Sequence, residues 1–213
     1  SEGYMEARVS RRDGSGKMLE IHENSVYDVF NHVAGKLCIF RDVTVERDLE
    51  KQIRHSSNTD FLTGLYNRRC FYQYIHNNRG GRTVSLMYID LDRFKEVNDT
   101  YGHKVGDAVL VHTADVLRRL FRDDFVARLG GDEFLVVRLG KCSMDQMEQE
   151  AEAFLKEMRT AFLAAEQTVS LSASVGIAQS SDSMVDIDAL LQRSDQALYQ
   201  AKKAGRSRYC VYR

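Results

Sequence analysis

Phe125-Val126-Ala127-Arg128-Leu129-Gly130-Gly131-Asp132-Glu133-Phe134-Leu135-Val136-Val137-Arg138-Leu139 places two apolar runs on either side of a glycine pair. A tight turn between strands needs backbone angles that Gly adopts without steric cost, so this pattern is the strongest hairpin signal in the chain. Phe125 to Leu129 and Glu133 to Leu139 are the predicted strands, and the turn between them carries two acids, Asp132 and Glu133. Upstream, Leu110, Ala114, Leu117 and Phe121 recur at helical spacing and predict a helix over Lys104 to Phe121. Before it come an apolar strand, Val84 to Asp90, and a helix, Asn67 to Asn78. Downstream, Met144 to Ala165 reads as helix and Thr168 to Ala178 as strand. Ile187 to Ala204 is a helix with Ile187, Leu190, Leu191, Ser194, Leu198 and Ala201 on one face, and Tyr209 to Tyr212 is a short last strand. The order β-α-β-β-α-β belongs to an α+β fold of ferredoxin-like type: an antiparallel palm with helices on one face, here with an added C-terminal helix and strand.

The beginning of the chain has a different character. Met5 to Val9, Met18 to Glu23 and Lys36 to Phe40 read as strands, the first two joined by a turn through Asp13-Gly14-Ser15-Gly16. Three strands alone do not make a stable domain. From Val45 to Arg54 the sequence is a charged helix whose apolar residues, Val45, Leu49 and Ile53, share one narrow face. Such a stripe suits either a contact between two helices or a solvated connector. The expected division is a fragment over 1–44, a linker helix over 45–58 and a domain over 59–213.

The chain has 213 residues, 43% hydrophobic and 29% charged, with a formal net charge of -1, values typical of a soluble globular protein. This balance calls for neither nucleic acid nor a membrane surface as partner. The longest apolar stretches, such as Val84 to Ile89, are too short to span a bilayer, and no charged start followed by an apolar run marks export. A cytoplasmic location is expected, whether or not a parent protein is membrane-attached. Cys38, Cys70, Cys142 and Cys210 lack Cys-x-x-Cys spacing and are expected to be reduced, mostly buried thiols.

Asp90 closes an apolar strand, so its carboxylate is expected to emerge at the sheet edge. Mg²⁺ takes one or two protein carboxylates, a carbonyl and phosphate oxygens, so a second acid must come from a neighbouring element. Asp132 and Glu133 supply it if the hairpin lies beside Val84 to Asp90, and Gly130 and Gly131 let a bulky nucleotide approach the backbone. Each feature alone has an ordinary structural explanation as a helix cap, a turn or solvated acids. The combination is informative.

Ile89-Asp90-Leu91-Asp92-Arg93-Phe94-Lys95-Glu96-Val97-Asn98-Asp99, Tyr101-Gly102-His103-Lys104-Val105-Gly106-Asp107 and Arg128-Leu129-Gly130-Gly131-Asp132-Glu133-Phe134 resemble the GGDEF family of diguanylate cyclases. Asp60-Phe61-Leu62-Thr63-Gly64-Leu65-Tyr66-Asn67-Arg68-Arg69 resembles that family's opening segment, and Tyr199-Gln200-Ala201-Lys202-Lys203-Ala204-Gly205-Arg206 its closing helix. Phe40-Arg41-Asp42-Val43-Thr44-Val45-Glu46-Arg47 resembles the last strand and exit linker of a PAS sensor domain.

The resemblance implies a fold like that of nucleotidyl cyclases and a homodimer. Each half would hold one GTP, and each 3′-hydroxyl would attack the α-phosphorus of the other nucleotide with loss of pyrophosphate. It implies Mg²⁺, with Mn²⁺ as a substitute, on Asp90, the Leu91 carbonyl and Asp132; Glu133 as general base or metal ligand; and Lys95 as a stabiliser of phosphate charge. Asn98 and Asp107 match guanine-reading positions, where a carboxylate can accept from N1-H and the 2-amino group of guanine but not from adenine. Lys202 and Arg206 match positions on the β and γ phosphates. Phe94 and Phe134 read first as packing residues, Phe94 being kept with the nucleotide-lining set, and His103 reads as a cap or a packing residue. The alternative to catalysis is a silent module that binds GTP or cyclic di-GMP. Finally, the family's product-inhibition signature, Arg-x-x-Asp, is broken here: Asp124 is present, but Phe121 stands in the Arg position.

Overall fold

The computed structural model describes residues 3–10, 16–49, 58–160, 162–164, 167–180 and 186–213. They form two compact units, residues 1–57 and 58–213.

In the first unit, β1 (Gly3–Ser10), β2 (Gly16–Tyr27) and β3 (Val33–Asp42) make an antiparallel sheet in that order, each strand longer than predicted. The pairing Ala7↔Leu19, Met5↔Ile21 and Ile21↔Phe40 puts these apolar residues on one face, because directly opposed residues share a face of the pleat. The ion pairs Lys17–Asp42 and Lys36–Glu23 lie on that same face. Residues 44–49 are helical (α1), with Val45 and Leu49 exposed. Ile53 and the predicted turn at Asp13-Gly14-Ser15 lie outside the described residues.

The second unit opens with β4 (Tyr66–Asn67) and α2 (Arg68–Asn78), whose start is fixed by Asn67 accepting the Cys70 N–H. Next come β5 (Val84–Leu91), α3 (Phe94–Tyr101), α4 (His103–Leu120), β6 (Phe125–Gly130) and β7 (Glu133–Leu139). The chain continues through α5 (Met144–Met158), β8 (Phe162–Ala164), β9 (Gln167–Val169), β10 (Ala173–Gln179), α6 (Ile187–Lys203) and β11 (Tyr209–Val211). The main sheet runs β11-β10-β5-β7-β6-β4. Its four middle strands are antiparallel and ordered as in a ferredoxin-like palm, while β11 and β4 join the edges in parallel.

Both faces of this sheet are covered. Met87, Ile89, Leu91, Phe134 and Val136 pack with α4 and α5 residues, including Leu117 and Phe154, in one core. Leu86, Tyr88, Leu135 and Val137 pack with Phe71 and Ile75 of α2 and Leu190 and Leu198 of α6 in the other. Helices on one face therefore describe the palm alone; the added α6 and the preceding α2 cover the reverse. This explains why seven of the eight β5 residues are buried and why the strand reads as a continuous apolar run.

Three expectations are corrected. The helix predicted to reach Ala165 ends at Met158, with Arg159 as C-cap, and Phe162 starts a hairpin. The single strand predicted over Thr168 to Ala178 is two strands with different partners: β9 pairs with β8 in a hairpin, whereas β10 pairs with β5, a pairing that the Asp92 N–H extends by donating to the Ser172 carbonyl at 2.9 Å. The cysteines are not mostly buried: Cys38 is exposed and the other three are partly exposed. No described helix is long and apolar enough to cross a membrane.

Candidate active site

β5 is a central strand, so Asp90 emerges at the end of the sheet's middle and not at an edge. Its register neighbours are Glu133 on β7 and Ser174 on β10. Glu133 therefore shares the face of Asp90, at the short distance of a directly opposed pair. The Asp90 side chain is 13% exposed and pairs with Lys202 Nζ of α6 at 2.8 Å. Burial raises its pKa above the ordinary carboxylate value, Lys202 opposes that shift, and the charges of Asp132 and Glu133 add to it. Tyr88, two residues earlier on the same face, is pushed upward by burial and by the Glu133 charge. Three acids thus converge near one ammonium group.

The turn between β6 and β7 is held in an unusual backbone conformation, with Gly130 at φ 147° and Gly131 at φ 53°. Arg128 grips it, with Nε and Nη2 donating to the Gly131 carbonyl at 2.9 and 2.7 Å. The remaining arm of that guanidinium, Nη1, donates to Asp60 at 2.9 Å. Asp60 also accepts from the Thr63 N–H at 2.9 Å, so the opening motif braces the acid-bearing turn. The Leu91 N–H donates to the Asp132 carbonyl at 3.3 Å, tying the end of β5 to the same turn.

On the other face, Asn98 of α3 lies against Gly106 of α4: a Cβ at position 106 would stand 1.9 Å from the Asn98 Oδ1 and 3.4 Å from Phe94. Phe94 is partly buried against the core, in keeping with its packing role, and Phe134 is fully buried. His103 is the exposed first residue of α4, so it is neither the cap, a place that Gly102 takes, nor a packing residue. Lys95, Asp107 and Arg206 are exposed, and among the described residues no hydrogen bond or ion pair joins them to Asp90, Asp132 or Glu133. The structure therefore brings together Asp90, Asp132, Glu133 and Lys202, and separately Phe94 and Asn98.

Among the described residues no three His, Cys, Asp or Glu side chains form a metal cage. The donor set nevertheless fits Mg²⁺, which needs only one or two protein carboxylates when phosphates complete its shell. The supporting observation is geometric: Asp90 stands directly opposite Glu133, and the Leu91 N–H ties the end of the same strand to the turn that carries Asp132.

Sequence reasoning assigned nothing to Asp92 or Arg138. Asp92 accepts from Ser172 Oγ, Ser174 Oγ and the Ser207 N–H at 2.8, 2.7 and 3.0 Å. Arg138 holds Asp124 two-pronged, with Nε at 2.7 Å and Nη2 at 2.5 Å. These partners are 14 to 115 residues apart, and no local pattern announces them.

A family model described as "Diguanylate cyclase, GGDEF domain" matches residues 57–208. Over 180 residues the chain is 38% identical to the cyclic di-GMP phosphodiesterase PdeR of Escherichia coli, covering 83% of this chain and 27% of that protein. It is 37% identical to the diguanylate cyclase DgcM of the same organism, covering 81% of this chain and 42% of the relative. The chain thus spans well under half the length of these relatives. Among solved structures, the coiled coil and GGDEF domain of DgcB from Caulobacter crescentus in complex with c-di-GMP superposes with a TM-score of 0.74 at 28% identity, over 79% of this chain and 93% of that one. The GGDEF domain of TpbB (YfiN) from Pseudomonas aeruginosa gives 0.64 at 35% identity, over 73% of this chain and 94% of that one.

Proposed function

The chain belongs to the family of GGDEF diguanylate cyclase domains, and from that premise we propose that it joins two GTP molecules into cyclic di-GMP with release of two pyrophosphates. The observation that carries the proposal is Asp90 directly opposite Glu133, with Asp132 in the adjoining turn and Lys202 facing them. Asp90, the Leu91 carbonyl and Asp132 would hold Mg²⁺ or Mn²⁺, a cation that screens the triphosphate and eases deprotonation of the 3′-hydroxyl. Glu133, on the face of Asp90, is placed to take the hydroxyl proton or to serve as second carboxylate. Lys95, Lys202 and Arg206 balance phosphate charge, while Phe94, Gly130 and Gly131 shape the nucleotide's bed. Asn98 and Asp107 read guanine. In this reading residues 1–44 are the tail of a PAS-like sensor, 45–58 a linker helix and 59–213 the cyclase domain. The chain then acts in signalling with GTP as substrate and a second copy as partner, with no call on nucleic acid or on direct membrane contact by this fragment.

The deciding experiment incubates the purified protein with GTP and Mg²⁺ and identifies the product. Cyclic di-GMP supports the proposal; tight GTP binding without turnover supports the silent regulatory module instead. That second reading is kept because the relative PdeR carries the name of a phosphodiesterase.

If each half-site holds one GTP, specific activity rises with enzyme concentration until dimers saturate. Val45 and Leu49, exposed on α1, are the proposed contact between copies. Activity that stays flat while sedimentation shows monomer passing to dimer contradicts this.

Product inhibition is expected to be weak or absent. Phe121 is 2% exposed within the core and cannot present a cation. The Asp124 side chain is 5% exposed and already engaged by Arg138. A guanidinium can grip phosphate or a guanine edge two-pronged, as a phenyl ring cannot. Initial rates with added cyclic di-GMP and pyrophosphate removed should stay within about twofold, a change too small for a charge-assisted contact. Strong noncompetitive inhibition relieved by Arg122→Ala would assign the role to that exposed neighbour.

A further inference from the structure

We propose that Asp92 is a positioning residue that fixes the exit of α6, so that Lys202 and Arg206 are presented together to the β and γ phosphates; this rests on the reading of the site as a GTP site. Its place in Asp90-Leu91-Asp92 invites a different assignment, as a second metal-binding acid. The geometry excludes that role. Oδ1 accepts from Ser174 Oγ at 2.7 Å, and Oδ2 accepts from Ser172 Oγ at 2.8 Å and the Ser207 N–H at 3.0 Å. A carboxylate offers about four acceptor directions, so three donors leave little for a cation.

The Ser207 contact is the informative one. Directly after α6 the backbone turns left-handed at Gly205 (φ 113°), Arg206 (φ 62°) and Ser207 (φ 51°). Arg206 and Ser207 are not glycines, and residues held in this region persist only where their surroundings over-determine them. Here they do. The Arg206 N–H donates back to Ala201 O at 3.1 Å, and Asp92 takes the N–H of Ser207. From the other side Arg159 Nη2 donates to the Ser207 carbonyl at 2.6 Å and Nε to its Oγ at 3.0 Å. Ser207 is thus pinned between the end of β5 and the end of α5, one residue after Arg206 and five after Lys202. Because Asp92 is two residues from Asp90, the same strand end that carries the acid also sets where the phosphate-binding cations stand.

The test uses the whole chain and a GTP analogue with an α,β-methylene bridge, which binds without reacting. Asp92→Asn replaces one acceptor by a donor that opposes Ser207 or a serine hydroxyl. It should weaken the analogue roughly tenfold, the scale of a lost charge-assisted hydrogen bond. In a Lys202→Ala/Arg206→Ala background the same change should cost less than about twofold, because residues acting through one another are not additive. Arg159→Met, which releases Ser207 from the exposed side, should show the same pattern with a smaller loss and keeps the test valid if Asp92→Asn folds poorly. Unchanged affinity in both variants overturns the proposal, and so do losses that multiply in the combined variants. Analogue binding by the unmodified protein without any cyclic product from GTP overturns the cyclase reading alone.

Discussion

Asp132→Ala should reduce turnover on the order of a thousandfold, the loss found when a preorganised electrostatic partner of the reaction is removed. The fold should survive. Asp132 sits in the turn, half-exposed, and its structural contact is its backbone carbonyl accepting the Leu91 N–H, which Ala retains. Stability should therefore change by less than about 1 kcal/mol, as for surface substitutions. One nearby group does respond: Asp132 contributes to the raised pKa of Asp90, so its removal should bring the Asp90 pKa down. The measurement is the initial rate at saturating Mg²⁺ beside a thermal melt. A rate within tenfold of the unmodified protein, with the melt unchanged, sinks the assignment of Asp132 to the metal.

The largest effect on stability is expected from Gly176→Val. Gly176 lies on β10 beneath α6, and a Cβ there would stand 2.0 Å from Ser194 O, 2.3 Å from Leu198 N and 2.9 Å from Leu198 Cα. These are backbone atoms and no rotamer relieves the clash, so the helix must lift from the sheet. Leu190, Ala197, Leu198 and Ala201, all buried beneath that helix, would lose contact together. Overpacking of this kind costs about 3 kcal/mol or more. Denaturant unfolding measures it directly, and a loss below about 1 kcal/mol means the helix is not seated as described. Since Lys202 rides on α6, weaker GTP binding should accompany the instability.

Much of the second unit was legible because its signals are local. The glycine pair marked the β6–β7 turn, the apolar run marked β5, and the spacing of Leu110, Ala114, Leu117 and Phe121 marked α4. Asp90 and Glu133 could be brought together on paper because adjacent antiparallel strands in register leave little freedom. What failed lacked a local signal. After Met158 no Gly or Pro interrupts the sequence, so nothing at helical period reveals that the chain turns into a hairpin. α3 was not foreseen at all: it is only eight residues long, and its start is set by Arg93 at φ 56° with no capping side chain. The Asp92, Arg128 and Arg138 contacts belong to the assembled fold, and each depends on a partner that only packing supplies. Lys202 was expected on phosphate and is found on Asp90, a pairing that the sequence offers no means to foresee.

The two-faced sheet separates the proposed tasks. Asn98 and Gly106 belong to helices on one side of β5, whereas Asp90, Glu133 and Lys202 gather on the other, beneath α6. On the proposed reading a bound nucleotide would reach around the end of a single buried strand, its base on one side and most of its phosphate contacts on the other. Such a ligand would then act as a rivet through the three layers, adding its binding free energy to the folded state. On that reading the residues proposed for guanine, Asn98 and Asp107, lie on α3 and α4, apart from Lys202 on α6, so base choice and the α6 contribution to phosphate affinity can be altered separately, with Lys95 on α3 as the link between the two.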